Sequence, residues 1–294
     1  MRPKLTVVVT CTERKSAPAT PECQVRNLPK VSLPERHDTW VRCLDSAVDK
    51  RPLGLLYAGE AWRRVEAVQC AAVTAGFETR LFVASAGLGL VSASTLAPSY
   101  GATFTARHAD SVASSVAENR DWWGHFGAVS GDTIADLAGD ATIVVLSEAY
   151  ASALDTDLTR LATTPGDHLL VGGSRDVPGL TRLRSDIGLR RVLGGTAVCL
   201  NLRMAEEWLR KLPEPKLTGS LSMNRWVTWA DGMRRSERYN RKVLTDAQVL
   251  RFIHDVRRQY PGTSRTRALR MLRDSGLACE QARFANLFAQ AVTA

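Results

Sequence analysis

Short, unbroken apolar runs alternate along the first two-thirds of the chain with segments in which apolar residues recur every three or four positions. Residues 5–10, 80–84, 141–146 and 168–171 are compact apolar runs, several of them β-branched, and read as buried strands. Residues 35–48, 59–75, 108–126, 132–138, 149–161 and 196–212 carry helical spacing. In the second of these, Trp62, Val65, Val68 and Ala72 fall on one face. Strands alternating with helices predict an α/β fold, an open, mostly parallel sheet of four to five strands with helices on both faces. The pattern changes at LPEPKLTGS (residues 212–220), which reads as a linker. Beyond it only helical periodicity remains, near residues 221–241, 245–260, 264–275 and 279–291, and Thr245 with Gln248 makes a capping box. The expected organisation is an α/β domain over residues 1–212 and an all-helical module over residues 221–294.

Composition alters this picture only through charge. The 294 residues are 45% hydrophobic and 23% charged, as in ordinary folded proteins, but the formal net charge is +9. A basic surface attracts phosphates and releases their counterions, so a polyanion, most simply double-stranded DNA, is the expected partner. From Asp231 onward thirteen Lys/Arg stand against six Asp/Glu, which places +7 of the +9 in the helical module. Arg234, Arg235, Arg241, Arg257, Arg265 and Arg270 there are candidate DNA contacts. No run approaches the roughly 18 apolar residues that a membrane helix needs. The opening MRPKLTVVVT is too short an apolar run for a secretion signal, so a cytoplasmic location without a membrane partner is expected.

Several chemistries find no support. The six cysteines include no C-x-x-C pair and read as reduced thiols, and the five histidines show no metal spacing. No Gly-Lys-Ser/Thr of a P-loop occurs. The stretch VASAGLGLVSASTLAPSYGATF (residues 83–104) imitates a dinucleotide fingerprint, but its third glycine position is Ser92 and Pro98 follows too soon for a helix. Neither a metal nor a cofactor is expected. What remains is a glycine-bearing loop at the carboxyl end of a parallel strand, where open α/β sheets bind ligands. Ser85 and Gly87 would let a ligand approach the backbone, and Tyr100 offers a ring for stacking. The other strand ends are also polar: TCTERKS after the first, with Glu13, Arg14 and Lys15, and Ser147-Glu148 after the third. Together they outline one crevice.

These stretches resemble a bacterial family on the uracil-DNA-glycosylase-like fold that includes peroxide-stress DNA-binding proteins. VVVTCTERK is similar to that group's first-strand loop, LLYAGEAWRRV to its Leu-Tyr-x-Gly-x-x-(Phe/Trp)-Arg element, and residues 83–104 to its Ser-Ala-Lys-Tyr-Gly-Leu segment. Gly87 and Leu88 stand where the family shows Lys-Tyr, so no role is carried over for that lysine. The resemblance covers residues 5–104 and implies a DNA glycosylase that flips a modified base out of the helix and cuts its N-glycosidic bond, in defence against phage with modified DNA. It implies base-binding by Tyr57, Ser85, Gly87, Tyr100, Ser147 and Asn201, and phosphate contacts from Arg14 and Lys15. A carboxylate must stabilise the oxocarbenium-like sugar: Glu13 first, because the resemblance puts catalytic groups in its loop, with Asp110 and Glu148 in reserve. A non-catalytic DNA-binding or damage-response protein, and a small-molecule nucleoside or nucleotide hydrolase, remain as alternatives.

Overall fold

The computed structural model describes residues 2–130, 132–235 and 242–293. Its residues fall into two compact units that divide between Arg235 and Ser236.

The first unit is built on β1 (Lys4–Thr10), whose residues Leu5 to Val9 are all buried. A strand covered on both faces has no polar side to alternate with, which is why Thr-Val-Val-Val serves here. Thr6, the polar member, is satisfied: its hydroxyl donates to the Leu137 carbonyl at 2.8 Å and accepts from Arg80 at 3.1 Å. β1 is flanked in parallel by β2 (Glu78–Ser85) on one side and β4 (Ala141–Leu146) on the other. β5 (Asp167–Gly172) and the three-residue β6 (Thr181–Leu183) extend the parallel array. The four-residue β3 (Gly89–Ser92) turns back antiparallel on β2. The sheet therefore has six strands in the order β3-β2-β1-β4-β5-β6, one more than the widest expected. The glycine loop is in fact the tight turn of the β2–β3 hairpin, with Ser85 opposite Gly89.

Two helical groups flank the sheet. α1 (Leu33–Ser46) opens with a capping box between Ser32 and Glu35 and packs on α3 (Val116–Ser130). α2 (Gly59–Thr74) buries the expected face of Trp62, Val65, Val68 and Ala72 against the sheet and against α6 (Leu200–Lys211). The apolar stretch 149–161 is two helices, α4 (Glu148–Ala153) and α5 (Asp155–Leu161), separated at Leu154. Residues 132–138 form turns and no helix. α3 begins eight residues later than the periodicity suggests. Glu118 accepts the amides of Ser114 and Ser115, an N-terminal cap that stops the helix from extending back to His108.

The boundary between units also differs from the expected linker. Leu217 and Thr218 donate their amides to the Asp167 carboxylate, which pins residues 212–219 to the sheet. α7 (Ser220–Met233) then belongs to the first unit: Trp226 packs at a tilt on the buried Trp208, ring centres 5.6 Å apart, and Lys211 lies 4.6 Å over Trp229. The second unit holds α8 (Asp246–Gln259), α9 (Arg265–Asp274) and α10 (Gln281–Thr293) around Val249, Ile253, Leu272 and Phe284. It is not wholly helical, because Lys242–Val243 and Leu277–Ala278 pair as a short parallel ladder. No described helix is long and apolar enough to cross a membrane.

Candidate functional site

Read in chain order, the parallel strands run second, first, third, fourth, fifth across the sheet. Connections leave β1 in opposite directions there, and the gap opened at the carboxyl ends of β1 and β4 is where such sheets hold ligands. A cleft of about 1250 Å³ occupies that position. Its lining includes residues 10–15 after β1, 99–103 and 108–110 from the segment preceding α3, 147–150 after β4, and 196–202 at the start of α6.

Backbone hydrogen bonds fix these walls. The loop after β1 is held to the turn before α2 by Ser16 N–H to the Leu56 carbonyl (2.8 Å) and Ala58 N–H to the Arg14 carbonyl (2.9 Å). Further on, Val25 and Gly101 exchange bonds with the opposite wall: Val25 N–H to Gly101 O at 2.9 Å, Gly101 N–H to Cys23 O at 2.8 Å.

Four carboxylates line the cleft. Glu13 stands at its mouth with its side chain 86% exposed and 3.3 Å from His108 Nε2. His108 Nδ1 accepts the Asp110 amide at 3.1 Å, which leaves the imidazole proton on Nε2, to be donated to Glu13. Arg107, just before, has φ of 61°, a left-handed conformation unusual for a side-chain-bearing residue. Asp110 is buried and clamped by Arg26, whose Nε bonds Oδ1 at 2.7 Å while Nη2 bonds Oδ2. The Arg26 guanidinium holds the Asp110 carboxyl below the usual carboxylate range. With both oxygens taken, Asp110 acts as a strut between the two walls, not as a free acid or base. Glu60 is paired with Arg203 at 2.7 Å. Glu148, at the start of α4, has no arginine partner among the described residues.

The expected base-binding set separates into two. Ser147 and Asn201 line the cleft, but both serve the scaffold. Ser147 Oγ caps α4 by accepting the Tyr150 amide, and Asn201 donates to the Leu146 carbonyl at 2.9 Å while accepting from Ser185. Tyr57, Ser85 and Gly87 lie buried beneath the floor, and Tyr100, almost wholly buried, forms part of that floor. The Tyr57 and Tyr100 hydroxyls are 2.6 Å apart, and Tyr100 is 2.6 Å from Ser85 Oγ. Ser85 Oγ in turn accepts the amides of Gly87 and Leu88 at 3.1 and 3.2 Å, and Trp122 and Trp40 donate to the carbonyls of Ala86 and Gly87. The turn's hydrogen bonds are therefore spent inside the protein. A Cβ on Gly87 would lie 2.7 Å from the Tyr100 ring, so glycine is needed there for packing. Burial pushes the Tyr57, Tyr100 and Tyr150 hydroxyls well above their ordinary pKa and keeps them neutral.

Lys15 reaches into the cleft and covers this tyrosine floor. Its Nζ is 4.2 Å from the Tyr100 ring centre and 5.7 Å from that of Tyr57, and it donates to the carbonyls of Thr12 and Glu13 at 3.2 and 3.5 Å. Cys11, also in the lining, meets the Tyr150 hydroxyl at 3.0 Å. Arg14 lies along Gly59 at the rim. His108, Arg26 and Tyr150 escaped the sequence reading, whereas Cys11 lay in the TCTERKS stretch that it took as part of the crevice. His108 fell inside an apparent helix, and only the Ser115–Glu118 cap marks where that helix truly begins.

The candidate DNA-binding arginines are dispersed. Arg234 is neutralised by Asp186 and Asp231 and belongs to the first unit, as does the exposed Arg235. Arg257 is occupied by the Ala291 carbonyl at the end of α10. Arg265 and Arg270 are exposed on α9, beside the unanticipated Arg267. Arg241 lies outside the described residues. Among the described residues no group of three or more His, Cys, Asp or Glu side chains is placed to hold a metal ion. Comparison with protein-family models, curated proteins and solved structures found no match.

Proposed function

We propose that this chain is a DNA glycosylase on a uracil-DNA-glycosylase-like fold, which extrudes a modified nucleotide into the β1–β4 cleft and releases its base. The observation that carries the reading is the Glu13–His108 pair, set at the mouth of a cleft of about 1250 Å³ at the point where the strand order reverses. That volume accommodates a nucleotide with its flanking phosphates. Breaking the N-glycosidic bond builds positive charge on the sugar, and an exposed carboxylate oriented by an imidazole is suited to stabilise that charge or to orient water. Arg14 at the rim and the basic second unit supply phosphate contacts that need not recognise sequence. Asp110 and the Tyr57–Ser85–Tyr100 cluster take no direct part in this scheme. They hold the walls and floor.

The test is single-turnover base release from duplexes carrying different modified bases, read as alkali-labile sites. Glu13→Gln is expected to slow release by about 100-fold or more with DNA affinity nearly unchanged, because a group used only in the transition state adds little to ground-state binding. Unchanged release would transfer the role to Glu148. Salt-sensitive DNA binding with no release from any duplex would identify a non-catalytic DNA-binding protein instead.

A further inference from the structure

Lys15 is placed unlike a lysine that merely holds a phosphate. Such lysines extend into water, where the ammonium stays hydrated and mobile. Here residue 15 is bridged to Tyr57 through the backbone, its neighbours Arg14 and Ser16 are each bonded to the turn before α2, and its amine rests on the Tyr100 ring. Its only hydrogen-bond partners among the described residues are two backbone carbonyls, and no carboxylate there is close enough to form an ion pair. The amine is thus fixed, half-buried and lacks a counter-ion, yet faces the cleft.

We propose that Lys15 is a nucleophile that condenses with the aldehyde of an abasic deoxyribose, giving the protein a strand-cleaving lyase activity in the same cleft. This rests on the glycosylase reading in one respect: that reaction leaves a sugar whose C1′ opens to an aldehyde. The Nζ lone pair forms a bond to C1′; the carbonyl oxygen takes one proton from the amine and one from solvent and departs as water, leaving a protonated imine. Glu13 then takes a proton from C2′. The electron pair forms the C2′–C3′ double bond, and the C3′–O bond breaks, so that the downstream strand leaves bearing a 5′-phosphate. One water hydrolyses the imine, restores the amine and frees the unsaturated aldehyde on the upstream strand. Desolvation supports the assignment: burial lowers the Lys15 pKa, outweighing the opposing pull of Cys11, Glu13 and Asp110, and raises the fraction of neutral amine.

The experiment uses the full-length chain and a duplex with one pre-formed abasic site, made by removing uracil with a separate enzyme. Borohydride is added to reduce any imine to a stable amine. A covalent protein–DNA adduct is expected, with the linkage mapped to Lys15 by peptide mass spectrometry. Lys15→Arg is expected to lower its yield by about 100-fold while the duplex still binds. No adduct, linkage to another amine, or equal trapping by Lys15→Arg would overturn the proposal. The mapping on the unaltered protein decides the matter even if the variant folds poorly. Because the abasic duplex bypasses base release, the two readings fail separately: trapping without base release from any duplex sinks the glycosylase and spares Lys15, and release without trapping does the reverse.

Discussion

At the residue scale, two side-chain environments determine what the cleft floor tolerates. Gly87→Ala would drive a methyl to 2.7 Å from the Tyr100 ring and 3.1 Å from Ala102. Tyr100 is locked by two hydroxyl partners and cannot retreat, so the variant should lose about 1–3 kcal/mol in urea unfolding. A glycine kept instead for ligand approach would leave stability unchanged and reduce binding. The second environment is His37, packed on Trp122, His125 and Phe126, with no hydrogen-bond partner for Nε2 among the described residues. Burial, reinforced by His125 and opposed by Asp38, depresses its pKa to about 4. The unfolded chain takes up this proton near the usual histidine value of about 6.5 and the native chain does not. Stability should therefore be full above about pH 6.5 and decline on the order of 2 kcal/mol as the pH falls toward 4. His37→Phe, which keeps a ring there, should flatten that decline in urea melts at pH 7.5 and 5, leaving the smaller share from the similarly depressed His168.

At the scale of elements, the strands and the apolar faces of α1, α2 and α6 were legible because each is an uninterrupted run or a clean period. The hairpin strand β3 and the edge strand β6 were not: three or four residues carry no periodicity of their own, and pairing alone makes them strands. The candidate site was legible as a place more than as a list of groups. Strand ends located the cleft and Glu13 within it, but which polar residues face the cavity depends on tertiary hydrogen bonds that no spacing encodes. The Tyr57, Ser85 and Tyr100 hydroxyls satisfy one another, with the Tyr100 ring in the floor of the cleft, whereas His108 reaches the cleft on a loop. The linker shows the same limit. LPEPKLTGS has the composition of a flexible segment, yet Asp167 ties it down and α7 completes a tryptophan cluster. Chains ending after Leu212 should expose Trp208 and lose about 3 kcal/mol or more, while chains ending after Arg235 should keep the thermal transition of the first unit.

At the scale of the whole molecule, formal charge is unevenly divided between the units. From Ser236 onward eleven Lys/Arg face five Asp/Glu. Arg267 and Arg270 lie on the side of α9 opposite the buried Ala268, Leu269 and Leu272, and neither has a carboxylate partner among the described residues. Each phosphate contact contributes roughly 0.9 to the slope of log affinity against log salt. Replacing both arginines with alanine should lower that slope by about two, measured by anisotropy with labelled duplex, with no change in melting. An unchanged slope would place the DNA contacts elsewhere. The shortness of the sheet's outer strands has a consequence of another kind. A parallel array with open sides invites a second chain to add itself as a further strand, the first step toward fibrils. Here one margin offers three residues and the other four. Beside the three-residue margin, the Arg182 guanidinium already occupies the Gly172 and Gly173 carbonyls where β5 ends. A stray strand would find little backbone to bind, so the sheet can be wide enough to carry a large cleft without becoming a template for aggregation.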